Sequence, residues 1–268
     1  MEQHESSWFD ILLGNLYTNT ERFIQHVAGD PPSEELQAHG VAGVTWLAHE
    51  PVSAQHVFSA ALVVTILCLL GVRVSRAVRD VKLAMIPEET LTVRTFTELL
   101  VGGVYEMMVG MMGKKAAKFF LPLIGSLAFF IFFSNVLGLT PHFLPPTDKV
   151  STTLALGLIV FFATHIFGVR EHGAAYFKHF LGPFLPLAPL MLVIELVSHI
   201  VRPLSLAIRL AANMTADHMV LLIFIGLVPF VVPIPMYVMG CIVVTVQTLV
   251  FCLLSTVYIS LAIAHEDH

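Results

Sequence analysis

Five long apolar segments constrain the fold of this 268-residue chain more than any other feature. A helix needs about 20 apolar residues to cross a bilayer, and backbone polar groups inside lipid must be satisfied within the segment. Only 12% of the residues are charged, against about 25% in a typical soluble domain. The sequence therefore predicts an all-α membrane protein with about five transmembrane helices, over 57–74, 119–139, 152–169, 187–227 and 234–263.

The last two segments are longer than an upright span. At about 1.5 Å per residue, a helix of roughly forty residues extends about 60 Å, whereas the hydrocarbon core is about 30 Å thick. Each segment is therefore either a helical hairpin or a single, steeply tilted helix. Pro203 marks a place where a hairpin could break, but no cluster of Gly, Asn and Ser accompanies it. The sequence favours two long tilted helices.

Basic residues predict the orientation of the spans. Eight of the fourteen Lys and Arg residues lie in the connection between the first two spans, and the positive-inside rule makes that connection cytoplasmic. Residues 1–56 are then an outer tail whose apolar spacing suits an amphipathic helix, and 57–268 form a single transmembrane domain. Within the cytoplasmic connection, 91–113 is predicted to be a membrane-surface helix. The C-terminus is expected on the cytoplasmic side.

Composition excludes several classes of function. The net charge is −5 and no basic run is interleaved with aromatic residues, so no nucleic-acid partner is expected. Gly113-Lys114 lacks the upstream glycine and the following Ser or Thr of a phosphate-binding loop. The three cysteines form no C-x-x-C pair and the histidines form no H-E-x-x-H motif. The chain is expected to bind no nucleotide, metal or other cofactor, and not to be an enzyme by itself.

A polar stripe runs through the fourth segment. Lipid cannot satisfy polar side chains, so such a stripe must meet water or protein. Ionisable residues inside a membrane mark ion or proton pathways by default. The members recur at steps of one, three or four residues, which predicts one face of a continuous helix. They are Glu195, Ser198, His199, Arg202, Ser205, Arg209, Asn213, Asp217 and His218.

Arg209 is the most constrained member of this stripe, because a guanidinium cannot lose its proton to escape the cost of burial. A charge at the bilayer centre costs about 2.5–3.5 kcal/mol on insertion scales, so Arg209 needs water or a carboxylate partner. Other members have simpler explanations as well. Arg202 can extend to the cytoplasmic interface, and Ser198 and Ser205 can bond to backbone carbonyls. Gln247, in the fifth segment, either joins two helices or holds Arg209 in place.

Several motifs in combination resemble subunit a of the F-type ATP synthase. The resemblance covers about residues 95–265, and the first ninety or so residues match only in topology. The matching motifs are Arg209-Leu210-Ala211-Ala212-Asn213-Met214-Thr215-Ala216 with Glu195 upstream and Gln247 downstream, Val257-Tyr258-Ile259-Ser260-Leu261-Ala262, Ser134-Asn135-Val136-Leu137-Gly138-Leu139-Thr140-Pro141, and Pro146-Thr147-Asp148 followed by 151–157.

The resemblance implies the mechanism of a membrane motor. Subunit a is its stator, whose two long tilted helices face a rotating ring of c subunits, each with an essential carboxylate at mid-membrane. Two offset half-channels connect this interface to the two sides of the membrane. The peripheral stalk of b subunits and other ATP synthase subunits are further partners. Arg209 corresponds to the essential arginine. A cation within about 4–6 Å commonly lowers the pKa of a carboxylate by 1–3 units, which would release its proton.

Other roles carry over by position. Asn213 and Gln247 correspond to polar residues that flank the arginine. Glu195 and His218 correspond to the ionisable pair of the outer half-channel. Gly240 stands where members with this histidine often carry Glu or His, so Glu195 is the expected partner of His218.

Asp217 stands where a glycine is usual in the family. It either adds a second carboxylate to the channel or faces solvent near the outer rim. The outer mouth is expected to include Asn135, His142, Asp148 and Ser151, and the inner exit path Ser198, Arg202 and Ser205.

Two other classes of function compete with the motor subunit. A secondary transporter or channel acting alone would more often show an internal repeat with broken helices in both halves, and neither is found. A structural subunit of a respiratory membrane complex would use Arg209 only as a paired charge, and His165 and His199 are weak signs of a haem or quinone site. The basic connection after the first span and the acidic C-terminus suggest a bacterial inner membrane.

Overall fold

Five long helices form the part of the chain that the structure describes. This computed structural model describes residues 55–79, 92–140, 143, 145–173, 176, 188–227 and 233–263, and no strand occurs among them. All five helices are long and apolar enough to cross a membrane. The predicted all-α membrane fold is therefore confirmed. The helices are α1, Gln55–Ala77; α2, Val93–Gly138; α3, Val150–His172; α4, Ala188–Leu227; and α5, Pro233–Ile263, and a short 3₁₀ helix, Pro146–Asp148, lies between α2 and α3.

α2 folds back on itself at Gly113. This residue has φ 78° and ψ 163°, a conformation that only glycine adopts easily, and it divides α2 into the arms 93–112 and 114–138. The rings of Phe96 and Phe132, near the far ends of the two arms, have centroids 6.4 Å apart, so the arms run antiparallel. The segment predicted as a membrane-surface helix, 91–113, is thus helical from Val93, but it packs along the second span instead of lying apart from it. Its depth in the membrane stays a prediction.

α4 and α5 are each one uninterrupted helix. α4 has 40 residues, with Pro203 inside it, and α5 has 31. A proline inside a helix removes one backbone hydrogen bond and often kinks the helix, yet α4 continues on both sides of Pro203. The hairpin alternative is therefore wrong for both segments, and the long single helices are confirmed. Their tilt in the membrane stays a prediction.

One apolar core joins four of the helices and sets the direction in which α4 faces. Helices in lipid associate through close van der Waals packing, because the lipid tails are themselves apolar. Leu206 and Leu210 of α4 are 2% and 0% exposed and face this core. The remaining members of the core are Leu127 and Ile131 of α2, Leu156 and Val160 of α3, and Phe251 of α5.

Gly157 allows α3 to approach the backbone of α4. A Cβ atom at this position would lie 2.8 Å from the carbonyl oxygen of Pro203, closer than real Cβ contacts. The two helices can therefore keep this separation only with glycine at 157. The predicted outer tail, 1–56, lies outside the described residues except for Gln55 and His56.

Candidate functional site

Arg209 projects from the exposed side of α4, about halfway along the helix. Its neighbour Leu210 is fully buried in the core, so the arginine points away from the bundle. Among the described residues, no hydrogen bond or ion pair involves Arg209. A charge in apolar surroundings must be neutralised by water or by another protein. The described part of the bundle therefore does not provide the paired structural charge that the respiratory-subunit hypothesis requires.

Asn213 and Gln247 join α4 to α5 one turn beyond Arg209. Nδ2 of Asn213 donates a hydrogen bond to Oε1 of Gln247 at 2.8 Å. Gln247 is 7% exposed, so its amide needs such a partner. Of the two roles predicted for Gln247, the structure shows the bond between helices. Gln247 fixes Asn213, which in turn lies beside Arg209 on the exposed side of α4.

A cavity of about 50 Å³ lies beside the C-terminal half of α4, next to the ends of α2 and α5. Asp217 and His218 both line it. The Oδ2 atom of Asp217 and the Nδ1 atom of His218 are buried there without a hydrogen-bond partner among the described residues. A cavity needs about 10–15 Å³ to hold one water, so this one has room for several. Asp217 thus faces an internal cavity and not open solvent.

His218 neither pairs with Glu195 nor shares the face of Arg209, and both predictions are wrong. Glu195 precedes His218 by 23 residues, which is roughly 34 Å along a continuous helix. Glu195 instead pairs with His199, with Oε1 and Nε2 3.2 Å apart. Nine residues separate Arg209 from His218, which is about 2.5 turns, so the two side chains leave α4 on opposite sides.

Leu139 fills the space beside Gly240. A Cβ atom at Gly240 would lie 2.5 Å from Cδ2 of Leu139, and both residues line the cavity that contains Asp217 and His218. Gly240 has no side chain that could pair with His218, and among the residues that line this cavity the other ionisable one is Asp217.

Polar contacts hold the connection between α2 and α3 against α4. Oγ1 of Thr147 donates to Oδ1 of Asn135 at 2.7 Å, and Asn135 is 1% exposed. The hydroxyl of Thr215, on α4, donates to the carboxylate of Asp148. Two of the residues predicted at the outer mouth, Asn135 and Asp148, therefore anchor this connection. Ser151 is exposed at the start of α3, and His142 lies outside the described residues.

A second cavity, of about 10 Å³, lies beside the N-terminal half of α4, between α3, α4 and α5. Arg202 lines it, and its guanidinium carbon lies 5.6 Å from the centroid of the Tyr258 ring, within the range of a cation–π contact. The hydroxyl of Ser205 donates to the carbonyl oxygen of Arg202 at 2.9 Å, as the simpler explanation of that serine predicts. Ser198 is half-buried on the same helix.

His165 is a residue of this second cavity that sequence reasoning did not place there. It lies on α3, and its ring centroid is 5.1 Å from that of His199 on α4. Both histidines line the cavity. Periodicity shows which residues share a face of one helix, but it does not show which faces of two helices meet.

These features define an integral, multi-pass membrane protein in which one long helix carries an outward-facing arginine between two cavities that contain ionisable side chains. Comparison with known proteins gives the family. A profile of the family described as ATP synthase A chain matches residues 57–260, and the chain belongs to this family. The resemblance predicted from the motifs is thereby confirmed.

Several curated relatives have the same family name. ATP synthase subunit a of Citrifermentans bemidjiense is 44% identical over 205 residues, which cover 76% of this chain and 88% of that protein. The subunit of Sorangium cellulosum is 40% identical over 249 residues, or 92% and 97% of the two chains. The subunit of Geotalea uraniireducens is 50% identical over 166 residues, or 62% and 72%.

Proposed function

We propose that this chain is the stator of a proton-translocating membrane motor, in which α4 and α5 face a ring of c subunits and Arg209 separates two half-channels. Membership of the ATP synthase A chain family supports the general role: proton transport in the membrane sector of the ATP synthase, together with other ATP synthase subunits. A peripheral stalk of b subunits is a further proposed partner. The observation that carries the detailed proposal is the position of Arg209, exposed between two cavities along α4.

The surface around Arg209 suits a closely packed partner helix. Ala212 and Ala216 are exposed on the same side of α4. Small residues four apart let two helices approach closely inside a membrane. A c-subunit helix with a mid-membrane carboxylate would then supply the negative charge that Arg209 lacks among the described residues.

Electrostatic magnitudes explain why an arginine is needed. Two unit charges about 4 Å apart attract by about 4 kcal/mol at an effective dielectric constant near 20. Moving one charge through 100 mV is worth about 2.3 kcal/mol. The attraction to Arg209 would therefore favour the ionised form of a ring carboxylate beside it, and it exceeds the work of moving one charge through about 100 mV. Because a guanidinium keeps its proton, Arg209 also remains a fixed positive barrier to a proton that moves directly between the half-channels.

The outer half-channel is proposed to pass through the cavity of Asp217 and His218. Asp217 lies eight residues after Arg209, or about 2.2 turns, so it projects between the side of Arg209 and the opposite side that carries His218. Water in the cavity, His218 and then Asp217 form the proposed order of proton carriers. The inner half-channel is proposed to follow Ser198, Arg202 and Ser205, with Glu195 at its inner end.

ATP-driven acidification of inverted membrane vesicles tests the proposal. We expect Arg209→Ala to abolish acidification although the complex assembles normally. The matched control is Arg170→Ala, because Arg170 is an exposed arginine in the last turn of α3 and lies outside both cavities. Normal acidification by an assembled Arg209→Ala complex would refute the separating role. Proton flux through vesicles that contain this chain without c subunits would instead favour a transporter acting alone.

A further inference from the structure

Two histidines from different helices meet in the cavity at the N-terminal half of α4. The ring of His165, on α3, and the ring of His199, on α4, are 5.1 Å apart at an interplanar angle of 70°. The side chain of His199 is 12% exposed, whereas that of its partner Glu195 is 32% exposed. The three residues therefore form a row in which the carboxylate of Glu195 is more accessible than the half-buried ring of His199.

Hydrogen bonds determine which nitrogen of each neutral ring carries the proton. Nδ1 of His165 lies 2.8 Å from the carbonyl oxygen of Phe161. A carbonyl oxygen only accepts, so Nδ1–H donates and Nε2 has the lone pair. Nε2 of His199 lies 3.2 Å from a carboxylate oxygen of Glu195, so in the neutral ring Nε2–H donates to that carboxylate. One N–H group of each ring is thus held by an acceptor, and Nε2 of His165 keeps its lone pair.

The groups around the two rings come from every neighbouring element. Glu195 and Arg202 face them from α4, Tyr258 from α5, and Tyr176 from the segment after α3. Burial raises the pKa of the Tyr176 phenol, so this phenol keeps its proton at neutral pH. Arg202 keeps its charge at any physiological pH. Histidine is the side chain whose charge ordinarily changes between about pH 5 and 8.

We propose that His165 and His199 form a proton-holding site in the inner half-channel, with Glu195 as its counter-charge. Two rings this close repel each other when both are charged, so they bind two protons in separate steps and hold one proton between those steps. Glu195 attracts the protonated pair and opposes the repulsion from Arg202. A proton binds at the lone pair of one ring and leaves from a ring nitrogen, so only N–H bonds form and break.

The site deepens the proposed function and rests on it. His199 precedes Arg209 by ten residues, which is about 15 Å along α4. The site would load or receive the protons that the ring carboxylate exchanges on the inner side. During ATP-driven pumping it would take protons from the cytoplasmic side, and during ATP synthesis it would release them there.

The test is the dependence of ATP-driven pumping on external pH in inverted vesicles, whose external buffer contacts the cytoplasmic side. For the unchanged complex, we expect pumping to fall as the external pH rises and the histidine pair loses its proton. We expect His165→Gln and His199→Gln each to slow pumping by about tenfold or more and to flatten this dependence, since one positioned proton carrier is lost. The double variant should be no slower than either single one.

The histidine variants could fail to assemble, because each ring packs against a neighbouring helix. Two further variants test the proposal in that case. Glu195→Gln alters the accessible end of the site and should move the midpoint of the pH profile to lower pH, because the counter-charge is lost. Thr164→Val removes only a hydroxyl from the same cavity, where it bonds to the carbonyl oxygen of Val160, and should leave the profile in place. An unshifted profile for Glu195→Gln would overturn the proposal.

The same vesicles distinguish a failure of the histidine site from a failure of the proposed function. A uniform loss of rate in the histidine variants, with an unchanged pH profile, would mean that the rings only pack the helices, and would overturn the site. If Arg209→Ala abolishes pumping in the same vesicles, the proposed function survives that result. If Arg209→Ala pumps normally, the proposed function fails whatever the histidine variants do.

Discussion

Gly157→Ala should weaken the contact between α3 and α4 and disturb the cavity at the N-terminal half of α4, which Gly157 lines. The added Cβ would lie 2.8 Å from the carbonyl oxygen of Pro203, about 0.6 Å short of ordinary van der Waals contact. A backbone oxygen cannot rotate away, so the helices must separate. Overpacking of this kind typically costs about 1–3 kcal/mol. Replacement of a helical glycine by alanine otherwise gains about 0.5–1 kcal/mol, so the net expectation is a loss of up to about 2.5 kcal/mol.

Gly125→Ala is the matched control, because Gly125 also lies in a spanning helix but has room for the methyl group. Its Cβ would lie 4.0 Å from Cδ1 of Leu121, an ordinary contact. The assays are the thermal stability of the detergent-solubilised complex and the rate of ATP-driven pumping. We expect Gly157→Ala to lower both and Gly125→Ala to leave stability unchanged or slightly higher. Equal behaviour of the two variants would refute the close approach of α3 to Pro203.

Three smaller predictions concern the other polar contacts of α4. Gln247→Leu removes a bond between helices that is typically worth about 0.6 kcal/mol in membranes, so ATP-driven pumping should fall far less than in Arg209→Ala; equal losses would contradict a supporting role. Asp217→Asn and His218→Ala should each slow pumping, with His218→Glu restoring part of the rate; unchanged rates would remove both residues from the path. Thr215→Val should loosen the connection between α2 and α3, measured as faster hydrogen exchange there; unchanged exchange would show that the contact with Asp148 does not hold it.

The five helices could be predicted from the sequence, because the length and periodicity of an apolar segment are properties of residues close together in the chain. The uninterrupted course of α4 through Pro203 followed from side-chain spacing on both sides of the proline. The reversal of α2 at Gly113 could not be predicted from the sequence, because a glycine permits a positive φ without requiring it. The reversal brings Phe96 into contact with Phe132, and these residues are 36 positions apart in the sequence. Local spacing does not predict a contact over such a separation.

The predicted set of site residues stays a prediction, whereas the structure contradicts one predicted pair within it. Steps of three or four residues accumulate angular error, and the final single step from Asp217 to His218 turns the side chain by about 100°. His218 therefore left the face of Arg209 although both belong to the same stripe. The pair of Glu195 and His218 failed for a second reason: a shared stripe says nothing about distance along the axis. The proximity of His165 to His199 depends on how α3 packs against α4, which neither segment encodes alone.

The distances along α4 also fit the proposed dependence of this chain on a partner that carries protons. Arg202 lines one cavity and Asp217 lines the other, and Arg209 lines neither. Fifteen residues separate the first two, which is about 22 Å along the helix, too far for direct proton transfer. Between them, the only ionisable residue on α4 is Arg209, which does not release its proton. In the proposed motor, a proton that passes from one cavity to the other therefore travels on a group outside α4. A moving ring carboxylate that carries the proton and then pairs with Arg209 in its ionised form would meet that requirement.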